Sequence, residues 1–267
     1  MRHIMQQPHD PTLSLKPSFM HMLAEGRSVF EFGAASLALP MLMSAPRGDG
    51  HPVMVLPGFL ASDISTKPLR VFLTSKGYQA VGWDLGRNLG KHLVGGKHII
   101  SDELLDKVLT LAVTHNQPVS LIGWSLGGIL AREIARLAPE CVRQVITLGS
   151  PFNGPHGAAP IAAKLFDLIN GDVAKKNPHA VAKMLEPPPV PTSALYSRSD
   201  GVAHWQACIN MVPGSHGHVE NIEVKGSHMG LGHNAQVLWI IADRLAQASG
   251  QWQPYTERRQ RPRTSAH

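Results

Sequence analysis

From HPVMVLPG at residues 51–58 to NAQVLWIIADRLAQA at 234–248, short β-branched apolar runs alternate with longer amphipathic stretches. This alternation constrains the fold more than any other feature of the chain. The runs HPVMVLPG, YQAVGWD, PVSLIGW, RQVITLGSP, PTSALYS and ENIEVKG read as six strands. Between them, SDISTKPLRVFLTSKG, SDELLDKVLTLAVTHN and LGGILAREIARLA carry helical periodicity. In the second of these, Ser101 is a helix cap followed by two acidic residues that favour the dipole. Strands separated by helices return parallel, so the expected class is α/β: a mostly parallel central sheet with helices on both faces. In such sheets ligands sit beyond the carboxyl ends of the strands.

The segment LIGWSLGGIL (121–130) sets Ser125 at the seam between a strand and a helix, with Gly123, Gly127 and Gly128 around it. A turn this sharp strains its central residue and brings backbones close, which is why glycines flank it. It exposes the hydroxyl above the sheet and aims helix-start N–H groups at the same point, where they can stabilise a developing oxyanion.

Here the chain resembles the α/β-hydrolase superfamily, and most of all its lipase- and esterase-like members. The resemblance extends over nearly everything after residue 50. VLPGFLASD (55–63) stands where that family has its oxyanion loop, with Pro57 where many members have histidine. By that likeness the N–H groups of Phe59 and Leu126 form the oxyanion hole. Because of the departure at Pro57, Leu60 stays open as an alternative to Phe59. TLGSPFNGPHGAA (147–159) is similar to a stretch bordering the acyl site, with Phe152 in place of a histidine. Leu60, Trp124 and Phe152 are the candidate substrate-binding residues.

A serine hydroxyl needs a base to take its proton, and the base needs an acid to fix its tautomer. His228, directly after the sixth strand, is the expected base; His233, His216 and His218 are alternatives. Asp200, just after the fifth strand, is the expected acid, ahead of Asp84 and Asp172. The order Ser125, Asp200, His228 matches that of the fold. The resemblance thus implies a serine hydrolase that cleaves carboxylic esters through an acyl-serine intermediate. An acyltransferase or thioesterase using the same triad is the alternative, and a non-catalytic binding protein a more distant one. Enzymes of this fold that attack carbon–halogen bonds or epoxides carry an aspartate at the place of Ser125. No metal or organic cofactor is expected, and the partner is a small-molecule or lipid-like ester.

Three regions are expected: an N-terminal helical segment (1–50) packed on the core, a hydrolase-like domain (51–250), and a basic tail (251–267). The stretch of about forty residues at 152–191 exceeds an ordinary connection and reads as a helical cap insertion. The apolar segment VFEFGAASLALPMLM (29–43) is shorter than a bilayer span and carries Glu31 and Pro40. It is expected as a helix on the domain rather than a membrane span, with a membrane-surface contact as the lesser reading, and lies too far into the chain for a signal peptide. The default location is cytoplasmic. RGDG (47–50) reads as a turn. Much of the formal charge of +6 sits in Arg258, Arg259, Arg261 and Arg263 of the tail, so no nucleic-acid partner is expected. Fifteen histidines occur without metal-ligand spacing. Cys141 and Cys208 are expected as thiols, and the oligomeric state is left open.

Overall fold

The computed structural model describes residues 17–93, 100–153, 184–211 and 217–255. The element order after a short N-terminal helix, α1 (Phe19–Leu23), and a 3-10 turn (Ala24–Arg27) is α2 (Ser28–Leu37), α3 (Leu39–Met43), β1 (Pro52–Leu56), α4 (Asp63–Ser75) and β2 (Gln79–Gly82). Then come α5 (Asp102–His115), β3 (Val119–Trp124), α6 (Leu126–Leu137), β4 (Val142–Leu148), β5 (Thr192–Tyr196), β6 (Val219–Glu223) and the last helix, α7 (Ala235–Leu245). The six strands form one sheet in the order β2-β1-β3-β4-β5-β6. Every pairing is parallel.

Alternate strand residues supply two cores, as the period of two requires. Val53, Val55 and Ile122 pack with Leu69 and Leu73 of α4 and Val237, Leu238 and Ile241 of α7. Met54, Leu56 and Leu121 face the other way, onto Leu104 and Val108 of α5 and Leu130 and Ile134 of α6. Both faces are therefore covered, which explains why the strands read as continuous apolar runs. Each such side chain, fully buried, contributes about 1.5–3 kcal/mol of transfer free energy.

Helix starts follow their caps. The Ser101 hydroxyl accepts from Leu104 N, and Asn234 Oδ1 accepts from Gln236 N and Val237 N. The apolar stretch at 29–43 differs from the single helix expected. It is two helices broken at Ala38, because Pro40 cannot donate the backbone bond that would continue α2 and instead sits in the first turn of α3. Leu42 enters the core. Among the described residues no helix is long and apolar enough to cross a membrane. Most of the expected cap, at 154–183, and the arginine-rich end of the tail lie outside the described residues.

The chain runs from β1 outward to β2 and then crosses back to β3, so connections leave β1 and β3 in opposite directions. The crevice between their carboxyl ends is the topological switch point, the usual ligand position in an open parallel sheet.

Candidate functional site

Ser125 stands at that switch point. It follows β3 and precedes α6, with φ 53° and ψ −120°. This is a left-handed conformation that costs a residue with a side chain about 1–3 kcal/mol and persists only when its surroundings hold it. They do so here: Ser125 N donates to Leu148 O at 2.8 Å, and Gly128 N donates to Ser125 O at 3.0 Å. A Cβ on Gly127 would strike the Leu56 and Pro57 carbonyl groups, and one on Gly123 would strike the start of α6. The glycine spacing is thus a consequence of how closely β1, β3 and α6 approach. Among the described residues the Ser125 hydroxyl makes no hydrogen bond.

Asp200 and His228 leave the ends of β5 and β6 and meet. His228 Nδ1 lies 2.7 Å from Asp200 Oδ2. Asp200 Oδ1 accepts from Val202 N at 2.8 Å and Ala203 N at 2.7 Å. A carboxylate can only accept, so Nδ1 carries the proton and Nε2 keeps its lone pair. Both side chains are almost wholly buried, 1% exposed for Asp200 and 5% for His228. Burial by itself would push the His228 pKa down; the charge and hydrogen bond of Asp200, with the charge of Glu25, outweigh it and raise the value above 6.5. Gly149, at the end of β4 with φ 53°, lies under this pair. A Cβ there would come within 2.9 Å of Asp200 Oδ2 and 3.1 Å of His228 Nδ1.

The loop after β1 passes beside Ser125: a Cβ on Gly58 would lie 3.3 Å from Ser125 Cβ. Leu60 has φ 62° and donates its N–H to Asn88 O at 2.7 Å. That N–H is engaged, whereas Leu126 N belongs to the first turn of α6, where amides have no intrahelical acceptor. Asn88, fully buried, clamps the loop: its Nδ2 donates to Pro57 O at 2.8 Å, and its N–H donates to Ala61 O at 2.8 Å. Asp63 accepts from Trp83 N and Asp84 N, tying the same loop to the end of β2.

Trp124 is buried beneath the histidine loop and donates its indole N–H to His228 O at 3.1 Å. Phe152 is buried with its ring 3.7 Å from the Arg132 guanidinium. The alternative acids and bases lie elsewhere. Asp84 is exposed and pairs with Lys107, His233 Nε2 lies 3.1 Å from Ser28 O, and His218 Nε2 lies 3.3 Å from Pro188 O. Asp172 and His216 fall outside the described residues. Cys141 and Cys208 are both free thiols. No cluster of potential metal ligands occurs among the described residues.

Neither a protein-family model nor a curated protein sequence matches the chain. Solved structures do. Lipase B of Aspergillus fumigatus superposes with a TM-score of 0.56 at 16% identity, over 78% of this chain and 56% of that one. The chain therefore spans little more than half the length of that lipase. A structure of the metagenome-derived lipolytic enzymes LipS and LipT matches with a TM-score of 0.52 at 16% identity, over 75% of this chain and 93% of the other. The pyrethroid hydrolase PytH matches at 0.50 and 16% identity, over 76% and 99%.

The fold is that of the α/β-hydrolases. Within an α/β-hydrolase sheet, the carboxyl edge gathers Ser125, Asp200 and His228 from strands three, five and six. The groups that sequence reasoning missed are those holding the edge together. Glu25, Arg27 and Glu31, from the N-terminal helices, reach across to the loops carrying Asp200 and His228. Glu31 is legible only as a charge inside an apolar segment. What could have drawn notice is three charged residues within seven positions of an otherwise apolar stretch. The role of Asn88 carries no local signal.

Proposed function

We propose that the protein hydrolyses carboxylic esters through an acyl-serine intermediate, with Ser125 as nucleophile, His228 as general base and acid, and Asp200 as its orienting carboxylate. The observation that carries this reading is the buried 2.7 Å His228–Asp200 pair, at the same sheet edge as a serine held at φ 53° between a strand and a helix. Ser125 Oγ attacks the ester carbonyl carbon while His228 Nε2 takes its proton. The carbonyl oxygen becomes an oxyanion facing the N–H groups of Phe59 and Leu126. Collapse breaks the carbon–oxygen bond to the alcohol, which leaves with the proton from His228. Water, deprotonated by the same imidazole, then releases the acid and restores Ser125. An oxyanion donor contributes about 2.7–4 kcal/mol in comparable sites. Engagement of the Leu60 N–H by Asn88 O counts against Leu60 as the loop donor.

The solved structures it resembles include lipolytic enzymes and a pyrethroid hydrolase. That likeness, with the half-buried Leu60 on the loop after β1, supports an acyl group of lipophilic character, whereas Trp124 and Phe152 are buried in packing contacts. The test compares the wild type with Ser125→Ala on a series of chromogenic esters, alongside labelling by a fluorophosphonate. Loss of both turnover and labelling in a folded Ser125→Ala variant is the expected result. Undiminished hydrolysis by that variant would refute the assignment.

A further inference from the structure

The carboxylate of Glu25 lies between the two loops that carry Asp200 and His228 and accepts from both. Its Oε1 takes the N–H of Gly201 at 2.8 Å and the N–H of His228 itself at 2.9 Å. Its Oε2 takes the N–H of Met229 at 2.9 Å. Three backbone donors, two from the histidine loop and one from the acid loop, therefore converge on one side chain from outside the sheet. Glu31 repeats the device one turn and a half along, accepting from Ser227 N at 2.9 Å and from Ser227 Oγ at 3.0 Å. Arg27 closes the other side, donating to Ser199 O and Ser199 Oγ at 2.8 Å each while pairing with Glu31 at 3.2 Å. The strap fits closely: a Cβ on Gly201 would strike the His21 carbonyl.

From this geometry we infer that Glu25 is a positioning residue: it fixes the distance and angle between Asp200 and His228 by bridging their backbones. The proposal rests on the reading of Ser125, Asp200 and His228 as a triad. Charge-assisted bonds from backbone N–H to carboxylate are about twice as strong as neutral ones, and three of them define a point in space. Past Tyr196 and Glu223, where the strands end, the two loops are joined near their roots: Ser197 Oγ and Ser199 Oγ donate to Gly226 O at 2.7 and 3.2 Å. Glu25 adds a link further out, at Gly201 and at His228 itself. The charged and titratable groups facing the imidazole are Asp200 from the β5 loop and Glu25 from the N-terminal segment. The Arg27–Glu31 pair stands beside Glu25, and the Cys208 thiol lies near Asp200.

The full-length chain tests this with Glu25→Gln and Glu25→Ala. The amide of Gln keeps the shape but offers one accepting atom, and its NH2 opposes a backbone N–H. In Glu25→Gln, kcat should fall about tenfold or more, with KM changed less than about twofold. The acid limb of the kcat/KM profile should move to lower pH, since a negative charge beside the imidazole is gone. The downfield proton resonance of the His228 Nδ1–H bound to Asp200, identified by its loss in Asp200→Asn, should shift or broaden. Wild-type kcat, acid limb and resonance in Glu25→Gln would overturn the proposal. So would a variant that only melts earlier while limb and resonance stay in place, as a purely structural role predicts. Where Glu25→Ala fails to fold, Glu25→Gln carries the test. If the wild type shows no Ser125-dependent turnover, the hydrolase reading fails, and the resonance still decides whether Glu25 sets the Asp200–His228 pair.

Discussion

Trp124 and His228 are coupled through space and through a hydrogen bond: their ring centroids lie 6.4 Å apart, and the indole N–H donates to the His228 carbonyl at 3.1 Å. The residue that precedes the elbow serine thus supports the loop of the proposed base. In Trp124→Phe the bulk is largely kept but the donor is lost, leaving the His228 carbonyl with only the long 3.4 Å bond from the Leu231 N–H. The expected cost is about 0.5–1.5 kcal/mol of stability, read by denaturant unfolding. The kcat should drop severalfold while KM holds, since the loop of the base loses an anchor.

The pH dependence follows from the raised pKa of His228. The proposed hydrolysis needs the neutral imidazole, so the acid limb of kcat/KM should lie above the ordinary histidine value of 6.5. Asp200→Asn removes the charge that opposes desolvation, and the limb should fall below that of the wild type while kcat collapses. The same shift has a stability consequence of definite sign. A folded pKa above 6.5 contributes stability that is fully present below 6.5 and disappears as pH rises through the raised value. A limb that stays in place in Asp200→Asn would break this account.

Asn88 makes its contacts at the heart of the loop after β1, where it is fully buried. Asn88→Ala removes the donor to Pro57 O and the side-chain acceptor of Gly90 N. The expected result is a loss of about 1–3 kcal/mol in stability. Turnover should fall further than stability explains, because the loop that carries the proposed oxyanion donor is released. Equal rates in wild type and variant, measured at a temperature where both are folded, would contradict it.

A contact chain of Ser120, His51 and Asp49 runs at the opposite end of the sheet. His51 Nε2 lies 2.8 Å from Ser120 Oγ, and His51 Nδ1 contacts Asp49, which also binds Arg143 at 2.8 Å. Connectivity alone does not make a nucleophile: His51 and Ser120 are fully buried at the amino ends of β1 and β3, far from the switch-point crevice. Ser120→Ala should keep wild-type fluorophosphonate labelling yet lose about 1–3 kcal/mol of stability, because the His51 ring nitrogen is left unpaired. Burial pushes the His51 pKa below 6.5 despite Asp49. Stability from this cluster is therefore present above 6.5 and declines as pH falls towards the folded value, as pH-dependent unfolding would record.

The elements that were legible beforehand are those whose cause is local. Val53, Val55, Met54 and Leu56 announce β1 because both faces of a parallel strand must be apolar. Gly123 and Gly127 announce the turn at Ser125 because neighbouring backbones leave no room for a Cβ. Chain order and position after a strand pointed to Asp200 and His228, and their side chains meet at 2.7 Å because a parallel sheet brings every strand end to one edge. The break at Ala38 was missed, although Pro40 stood in view, because an apolar run reads as one helix until backbone donors are counted.

The amino-acid sequence by itself determined the alternation of strands and helices, the sharp turn at Ser125 and the edge where chemistry would collect, because periodicity and steric need act over a few residues. Only the tertiary structure decided the partners of Glu25, which lie 176 and 203 residues away at Gly201 and His228. It alone made Asn88 the clamp of the loop at Pro57 and set Gly149 beneath the Asp200–His228 pair. The physical reason is common to all three. Each meeting has main chain on one side (the N–H groups at Gly201 and His228, the Pro57 carbonyl, the bare backbone of Gly149), and main chain is much the same at every residue, so no pattern along the chain records which of them will meet.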